Sequence, residues 1–191
     1  STHMIVMKFG RSSFKDSKTI SNIFEIIKTR IHKKPVIVCS AIPGITDMLF
    51  MLGTESVFGN KVKVKLILDS IIEKHLRIID ALFKESEVKI NLIQKINEYS
   101  EEIKKISRGI SLISEMSDKS SAKLLSYGEL FTAIIITSLL QQDYVQSEFL
   151  DAREFIKTGD RLNYGENEIE QIKSKTKSIL EPVNKTGKVG V

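Results

Sequence analysis

Lys8, Ser40 and Thr46 are the first residues in this chain whose types and settings suit chemistry. Lys8 closes an apolar run in MIVMKFGRSS, residues 4–13, and Ser40 and Thr46 follow a second run in VIVCSAIPGITDML, residues 36–49. Each run ends abruptly in small, polar and Gly residues, as a buried parallel strand does when it delivers a ligand loop at its C-terminal end. One cation and two hydroxyls at such loop ends suit an anionic small molecule. A third candidate lies far along the chain, where Glu129 follows Gly128 inside a strong helical pattern. Gly in a helix interior costs about 1 kcal/mol relative to Ala, so it asks for a close approach by another backbone or a ligand. A carboxylate beside it, at the start of an apolar run, needs a cationic partner. That partner is either a ligand cation or a salt bridge to Lys8, Lys123 or Arg153.

The elements that must hold these residues can be read from spacing. Residues 4–9 read as a first strand, and Asp16 or Ser17 caps a helix with Ile20, Ile23, Phe24, Ile26 and Ile27 at helical intervals. Basic residues from Lys28 to Lys34 suit the negative end of that helix, and Pro35 stops it before a second strand at 36–39. This is a βαβ unit. A helix from Ile45 or Thr46 is expected to end near Gly53, and Gly59-Asn60 forms a turn. Residues 61–83 and 87–110 read as two amphipathic helices forming an αα-hairpin. Their expected inner faces are Leu66, Ile67, Ser70, Ile71, Lys74, Ile78 and Leu82, and Ile90, Ile93, Ile96, Ile103 and Ile106. Residues 120–140 form a further helix, apolar nearly all round from Phe131 onward and therefore central. A strand at 144–150, a loop at 161–166, a helix at 166–180 broken by Pro182, and a strand at 188–191 complete the reading.

Composition bounds the function. The 191 residues are 41% hydrophobic and 28% charged, values of a globular chain able to bury a sizeable core. The formal net charge of +5 comes from basic residues spread over helical stretches and balanced locally by acids. With no Trp and no aromatic–Arg interleaving, this is a solvated surface rather than a nucleic-acid groove. The single cysteine, Cys39, excludes an internal disulfide and fits a reducing cytoplasm. At a strand end, with no His nearby in sequence, it reads as a buried, inert thiol. His75, within a helix and without metal-like partners, reads as a packed or solvated residue. No apolar run approaches the roughly 18 residues of a membrane span, so no membrane association is expected. Ser1-Thr2-His3 reads as a cloning remnant before a natural Met4, leaving 4–191 as one unit.

Four segments also carry a family resemblance. KFGRSS is similar to the KFGGTS opening of aspartate kinases, and VCSAIPGITDML to their VVSAxxGVTxxL segment. LSYGELFT, residues 125–132, resembles LSxGExLS, and FLDAREFIKT, residues 149–158, resembles (F/L)DAR(E/D)FIxT. Order and spacing agree across nearly the whole chain. The resemblance implies a three-layer α/β/α amino-acid kinase fold with a mostly parallel sheet, the hairpin at 61–110 being an inserted helical excursion. Nothing resembling the family's later Gly/Arg/Ser/Asp loop or regulatory ACT domains is present. The chain is therefore expected to be the N-terminal, substrate-side portion of a larger enzyme.

The same resemblance implies transfer of the γ-phosphoryl of MgATP to the β-carboxylate of L-aspartate, giving 4-phospho-L-aspartate for lysine, threonine and methionine synthesis. Lys8 would stabilise the moving charge, Gly10 would let the backbone approach the phosphates, and Ser13 would add a hydrogen bond. Ser40, Ala41 and Thr46 would hold the acidic substrate, and Glu129 its ammonium. Asp151 and Arg153 would brace the cleft, with Thr158 and Asp160 in the loop beyond. Mg²⁺ would be held largely by phosphate oxygens and water. The complete enzyme would be a homo-oligomer with no nucleic-acid partner.

Each role has a plainer counterpart. Lys8 is also a strand-end residue snorkelling to solvent, and Thr46 also a helix cap beside a Pro43-Gly44 turn. Arg11 departs from the family, which has Gly there. It introduces backbone strain if positive φ is required, or it replaces a phosphate contact. Two other functions remain open: a kinase for another amino acid such as glutamate, and a catalytically silent binding module.

Overall fold

The computed structural model describes residues 5–143, 147–149, 151 and 189–191. Its sheet is wholly parallel. Strands β1 (Val6–Lys8), β2 (Val36–Val38), β3 (Ser147–Glu148) and β4 (Val189–Gly190) lie in the order β1-β2-β4-β3. The chain-terminal VGV segment is thus an interior strand, paired on both sides. Register places Lys8 opposite Val38, so the loops leaving β1 and β2 emerge side by side.

Among the described residues five α-helices accompany the sheet: α1 (Ser17–Arg30), α2 (Ile45–Val57), α3 (Lys61–Leu82), α4 (Glu87–Ile113) and α5 (Asp118–Gln142). Asp16 caps α1 in a reciprocal box with Thr19: the Thr19 amide donates to Asp16 Oδ1 at 2.8 Å, and the Asp16 amide donates to Thr19 Oγ1. Lys34 takes a left-handed conformation that turns the chain into buried Pro35 and β2. Gly44, at φ 88°, starts α2 in a conformation that L side chains disfavour.

Helix α2 does not end near Gly53. It runs four residues further, because Gly53 is a packing position: a Cβ there would stand 3.0 Å from Leu124 and closer still to Met116. Gly59, at φ 69°, supplies the turn instead.

The hairpin exists, but its buried faces are rotated from the expected ones. In α3 the core receives Leu68, Ile71, His75, Ile78 and Ile79, while Leu66 is 61% exposed and Ser70 and Lys74 face solvent. In α4 it receives Lys89, Leu92, Ile96, Tyr99, Ile103, Ser107 and Ile110, while Ile90 is 64% exposed. Aliphatic residues occur on every side of α3, so neighbouring helices rather than local pattern choose the face. In α4 an amphipathic Lys89 lies in the inward row. Its stem is covered and its ammonium pairs with Asp80 at 3.1 Å and with Glu85.

Helix α5 is central, as its apolar run implies: Leu130–Thr132 and Ile134–Leu140 are buried. It is the one described helix long and apolar enough to cross a membrane, and 67% of the qualifying stretch is buried within the protein. Its Phe131 ring meets His75 at 4.6 Å and Tyr99 at 5.8 Å, and Tyr99 meets Tyr127 at 5.6 Å. This aromatic cluster fastens α3, α4 and α5 together. The expected loop at 161–166, the helix at 166–180 and the break at Pro182 lie outside the described residues.

Candidate active site

The C-terminal ends of β1 and β2 meet through two bonds at Phe9. Its amide donates to Val38 O at 3.1 Å, and its carbonyl accepts from Ser40 Oγ at 2.9 Å. Lys8 is exposed at the strand end immediately before this junction. Its setting is polar rather than isolated, since it makes contacts of its own.

After Lys8 the chain passes through Gly10 into a 3-10 turn, Arg11–Phe14, anchored by the buried Phe14. Ser13 N donates to Gly10 O at 3.0 Å within this turn, so its amide is engaged while its side chain stays partly accessible. Gly10 has φ −77°, and open space surrounds the position of a Cβ there. Neither backbone conformation nor packing within the described chain demands glycine at that point. Arg11 is exposed, and its φ is not positive; among non-glycine described residues only Lys34 and Ser114 have positive φ. The strain considered for Arg11 is therefore absent. The side chain is presented at the loop surface, in the turn that follows Lys8 and Gly10.

The second loop is built around Ala41, which is 3% exposed and packed beneath α5. A Cβ at Gly128 would stand 2.8 Å from Ala41 Cβ and 3.7 Å from Thr46 Oγ1. The mid-helix glycine is thus explained by a close approach, and it brings α5 onto the loop that follows β2. Thr46 does not cap α2. Gly44 occupies the cap position, and no side chain accepts from the first-turn amides. The start of α2 therefore points N–H groups and the positive end of the helix dipole toward this loop, with Thr46 partly exposed beside them.

Glu129 follows on α5. The residue is exposed, yet neighbouring protein removes enough water from around its carboxyl to raise the pKa above the usual glutamate range. No described residue forms a salt bridge or hydrogen bond with that carboxylate, so pairing to Lys8 or Lys123 does not occur, and Arg153 lies outside the described residues. Its field reaches Cys39: burial first, and the Glu129 charge second, push the Cys39 thiol up to about 12. Such a thiol stays protonated at neutral pH and is a poor nucleophile. The same relation places Glu129 beside the end of β2.

Thr132 is not among the residues that the sequence singles out. It is 1% exposed, and its hydroxyl faces Ser40 O at 2.8 Å and Glu129 O at 3.0 Å. The available signal was a hydroxyl residue one helical turn beyond Glu129 in an otherwise apolar stretch. Asp151 is partly buried after β3 and has a polar contact of its own; Arg153, Thr158 and Asp160 lie outside the described residues.

The geometry therefore brings the Lys8–Gly10 segment, Ser40, Ala41, Thr46 and Glu129 to one end of the parallel sheet. Cationic, hydroxyl and amide groups lie on the strand side, and a carboxylate unpaired among the described residues lies on the helix side. This arrangement can hold a ligand that carries both negative charge and an ammonium. Among the described residues no three His, Cys, Asp or Glu side chains are grouped to hold a metal ion.

The profile of the amino acid kinase family matches residues 3–186. Aspartokinase 1, chloroplastic, of Arabidopsis thaliana is 30% identical over 162 residues, covering 83% of this chain and 27% of that protein. The lysine-sensitive aspartokinase 3 of Escherichia coli is 24% identical over 173 residues, covering 88% of this chain and 35% of that protein. The crystal structure of E. coli aspartokinase III in complex with aspartate and ADP superposes with a TM-score of 0.77 at 24% identity, over 98% of this chain and 40% of that one. The chain thus spans about a quarter to two fifths of the length of these relatives. An α/β chain with a parallel sheet, matched by this profile over nearly its whole length, belongs to the amino acid kinase family.

Proposed function

We propose that this chain is the substrate-side part of an aspartate kinase, with its helical excursion at 61–110. In this reading the complete enzyme phosphorylates the β-carboxylate of L-aspartate and supplies the acyl phosphate for lysine, threonine and methionine synthesis. The observation that carries the reading is the Glu129 carboxylate, unpaired among the described residues, on the turn of α5 that Gly128 and Thr132 pack onto the Ser40–Ala41 loop, beside a strand that ends in Lys8. Aspartokinases are the relatives matched over most of the chain, and one solved neighbour is described as holding aspartate and ADP.

The chemistry needs little from the protein beyond placement and charge. A substrate carboxylate is already ionised at neutral pH, so no general base is required. Its oxygen forms a bond to the γ-phosphorus as the bond from that phosphorus to the β–γ bridging oxygen breaks, and ADP leaves with the electron pair. Lys8 would neutralise charge on the transferring group, and the backbone around Gly10 would approach the phosphates. Arg11 and Ser13 would contact phosphate oxygens from the same turn. Thr46 and the α2 amides would receive a substrate carboxylate, and Glu129 its ammonium. Ser40 has donated its proton to Phe9 O, so toward a ligand it offers lone pairs, which suit an ammonium. Asp151 and Arg153 would support the cleft edge.

A site of cations, amides and hydroxyls fits a nucleotide that brings its own Mg²⁺, held by phosphate oxygens and water. The ion would neutralise phosphate charge, while the residues above do the positioning. The complete enzyme is proposed to be a homo-oligomer.

Hydroxylamine trapping during incubation of the complete enzyme with MgATP and L-aspartate tests the reading. Aspartyl hydroxamate that requires L-aspartate and falls at least ~100-fold in Lys8→Ala is the expected result. Product from L-glutamate but not from L-aspartate would move the assignment to another amino-acid kinase. A second reading, a binding module without phosphoryl transfer, is favoured by Arg11 in the phosphate loop. It predicts aspartate binding with no hydroxamate.

A further inference from the structure

We propose that Thr132 is a positioning residue: its buried hydroxyl sets the register of the Glu129 turn of α5 against the loop that follows β2. The proposal rests on the aspartate-binding reading for its functional consequence, and on the hydrogen bonds alone for its structural content.

Three residues of α5 address the same loop. Gly128 lies against Ala41, Glu129 acts on Cys39, and Thr132 reaches Ser40 O. Only the last of these is directional. The Gly128–Ala41 contact is apolar and would tolerate a slide or a few degrees of helix rotation. A hydrogen bond at 2.8 Å loses strength when either is imposed. The Thr132 hydroxyl has one proton, shared in a three-centre arrangement between Ser40 O and Glu129 O at 3.0 Å. The second acceptor is the usual back-bond of a helical Thr to the preceding turn. The first is tertiary, and it is the one hydrogen bond recorded for the Ser40 carbonyl among the described residues.

Ser40 then passes the constraint on, because its own hydroxyl donates to Phe9 O at 2.9 Å, one residue beyond Lys8. Two hydroxyls thus tie α5, the β2 loop and the β1 end into one unit. Loss of the Thr132 donor would strand the Ser40 carbonyl and free α5 to shift, carrying the Glu129 carboxylate with it.

Thr132→Val keeps the side-chain outline and removes the donor, whereas Thr132→Ser keeps the donor and removes a methyl group. The measurements are L-aspartate affinity by calorimetric titration and the titration of the Glu129 carboxyl by NMR, both on the chain as it stands. Thr132→Val is expected to weaken aspartate binding about tenfold and to move the Glu129 titration toward that of an ordinary glutamate. Thr132→Ser is expected to stay within about twofold of the parent affinity and to leave the titration in place. Equal losses in the Val and Ser variants would overturn the proposal, since they would mark packing rather than the hydroxyl as the determinant. Unchanged binding and titration in Thr132→Val would overturn it as well. If the parent chain binds no aspartate, the substrate reading fails, and the Glu129 titration decides the Thr132 question alone. Should Thr132→Val fail to fold, Thr132→Ala makes the same comparison with less steric load.

Discussion

Gly128 on α5 and Ala41 after β2 approach so closely that a methyl group on residue 128 would stand 2.8 Å from the Ala41 Cβ. Neither side can give way by rotating a flexible tip, because a methyl bonded to Cα has no other place to go. The helix or the loop must move. We therefore expect Gly128→Ala to lower stability by about 1–3 kcal/mol despite the better helix propensity of Ala. Aspartate binding should fall with it. Removing the opposing methyl restores the space, so Ala41→Gly in the Gly128→Ala background should recover most of the binding. Denaturant midpoints and aspartate titrations of the two single variants and the double variant check this. An additive rather than compensating double variant would refute a direct clash.

Glu129 carries a desolvated carboxylate with no cationic partner among the described residues. Its pKa is raised, so the unfolded chain releases this proton at lower pH than the folded one. Above the ordinary glutamate range the ionised group therefore opposes folding, and the opposition grows as pH rises through the raised value. An ammonium ligand would offset it. Glu129→Gln should melt at a slightly higher temperature than the parent near neutral pH without ligand, and should lose aspartate binding. In the parent, aspartate affinity should fall as pH drops through the raised pKa. Thermal melts with and without L-aspartate, repeated across acidic pH, read both effects.

Much of this site was legible because its parts are local. An apolar run broken by KFGRSS, another by SAIPG, and a glycine inside a helix each mark a candidate position in a few consecutive residues. What stayed hidden depends on the partner element. Gly53 reads as a helix end until Met116 and Leu124 are seen packed on it. The α3 stripe through Leu66 and Lys74 is as plausible by spacing as the true one through Leu68 and His75, because aliphatic residues lie on both faces. Thr132 is one of several hydroxyls in an apolar helix, and only the Ser40 carbonyl opposite separates its side chain from that of Thr137, whose hydroxyl bonds Ala133 O in its own helix. Roles at Arg153, Thr158 and Asp160 fall outside the described residues.

Arg11 tests whether the proposed phosphate loop is impaired or adapted. Its φ is not positive, so restoring glycine relieves no strain and adds conformational freedom to the unfolded chain. Arg11→Gly should be neutral or destabilising by up to about 1 kcal/mol. If the guanidinium contacts phosphate, the variant should also bind MgATP several-fold more weakly, and the loss should shrink in high salt. A gain in nucleotide affinity would instead identify Arg11 as an obstruction.

His75 makes the core sensitive to acid. Its ring is fully buried on α3 against Phe131, with Nδ1 at 2.7 Å from Ile71 O. A carbonyl can only accept, so the neutral ring carries its proton on Nδ1 and leaves Nε2 without a partner among the described residues. A second proton would sit on Nε2 in apolar surroundings, with Lys74 nearby adding repulsion. Burial, opposed in part by the Ile71 bond, lowers the pKa from 6.5 to about 4. The unfolded chain therefore binds this proton first. Stability is full above about pH 6.5 and is lost as pH falls toward 4, by at most about 3 kcal/mol. His75→Leu keeps an apolar group of similar bulk and removes the titration. Urea unfolding of both proteins at several pH values between neutrality and about pH 4.5 should give a parent curve that drops more steeply than the variant's. Parallel curves would place the acid sensitivity elsewhere, in the carboxylates that titrate over the lower part of the same range.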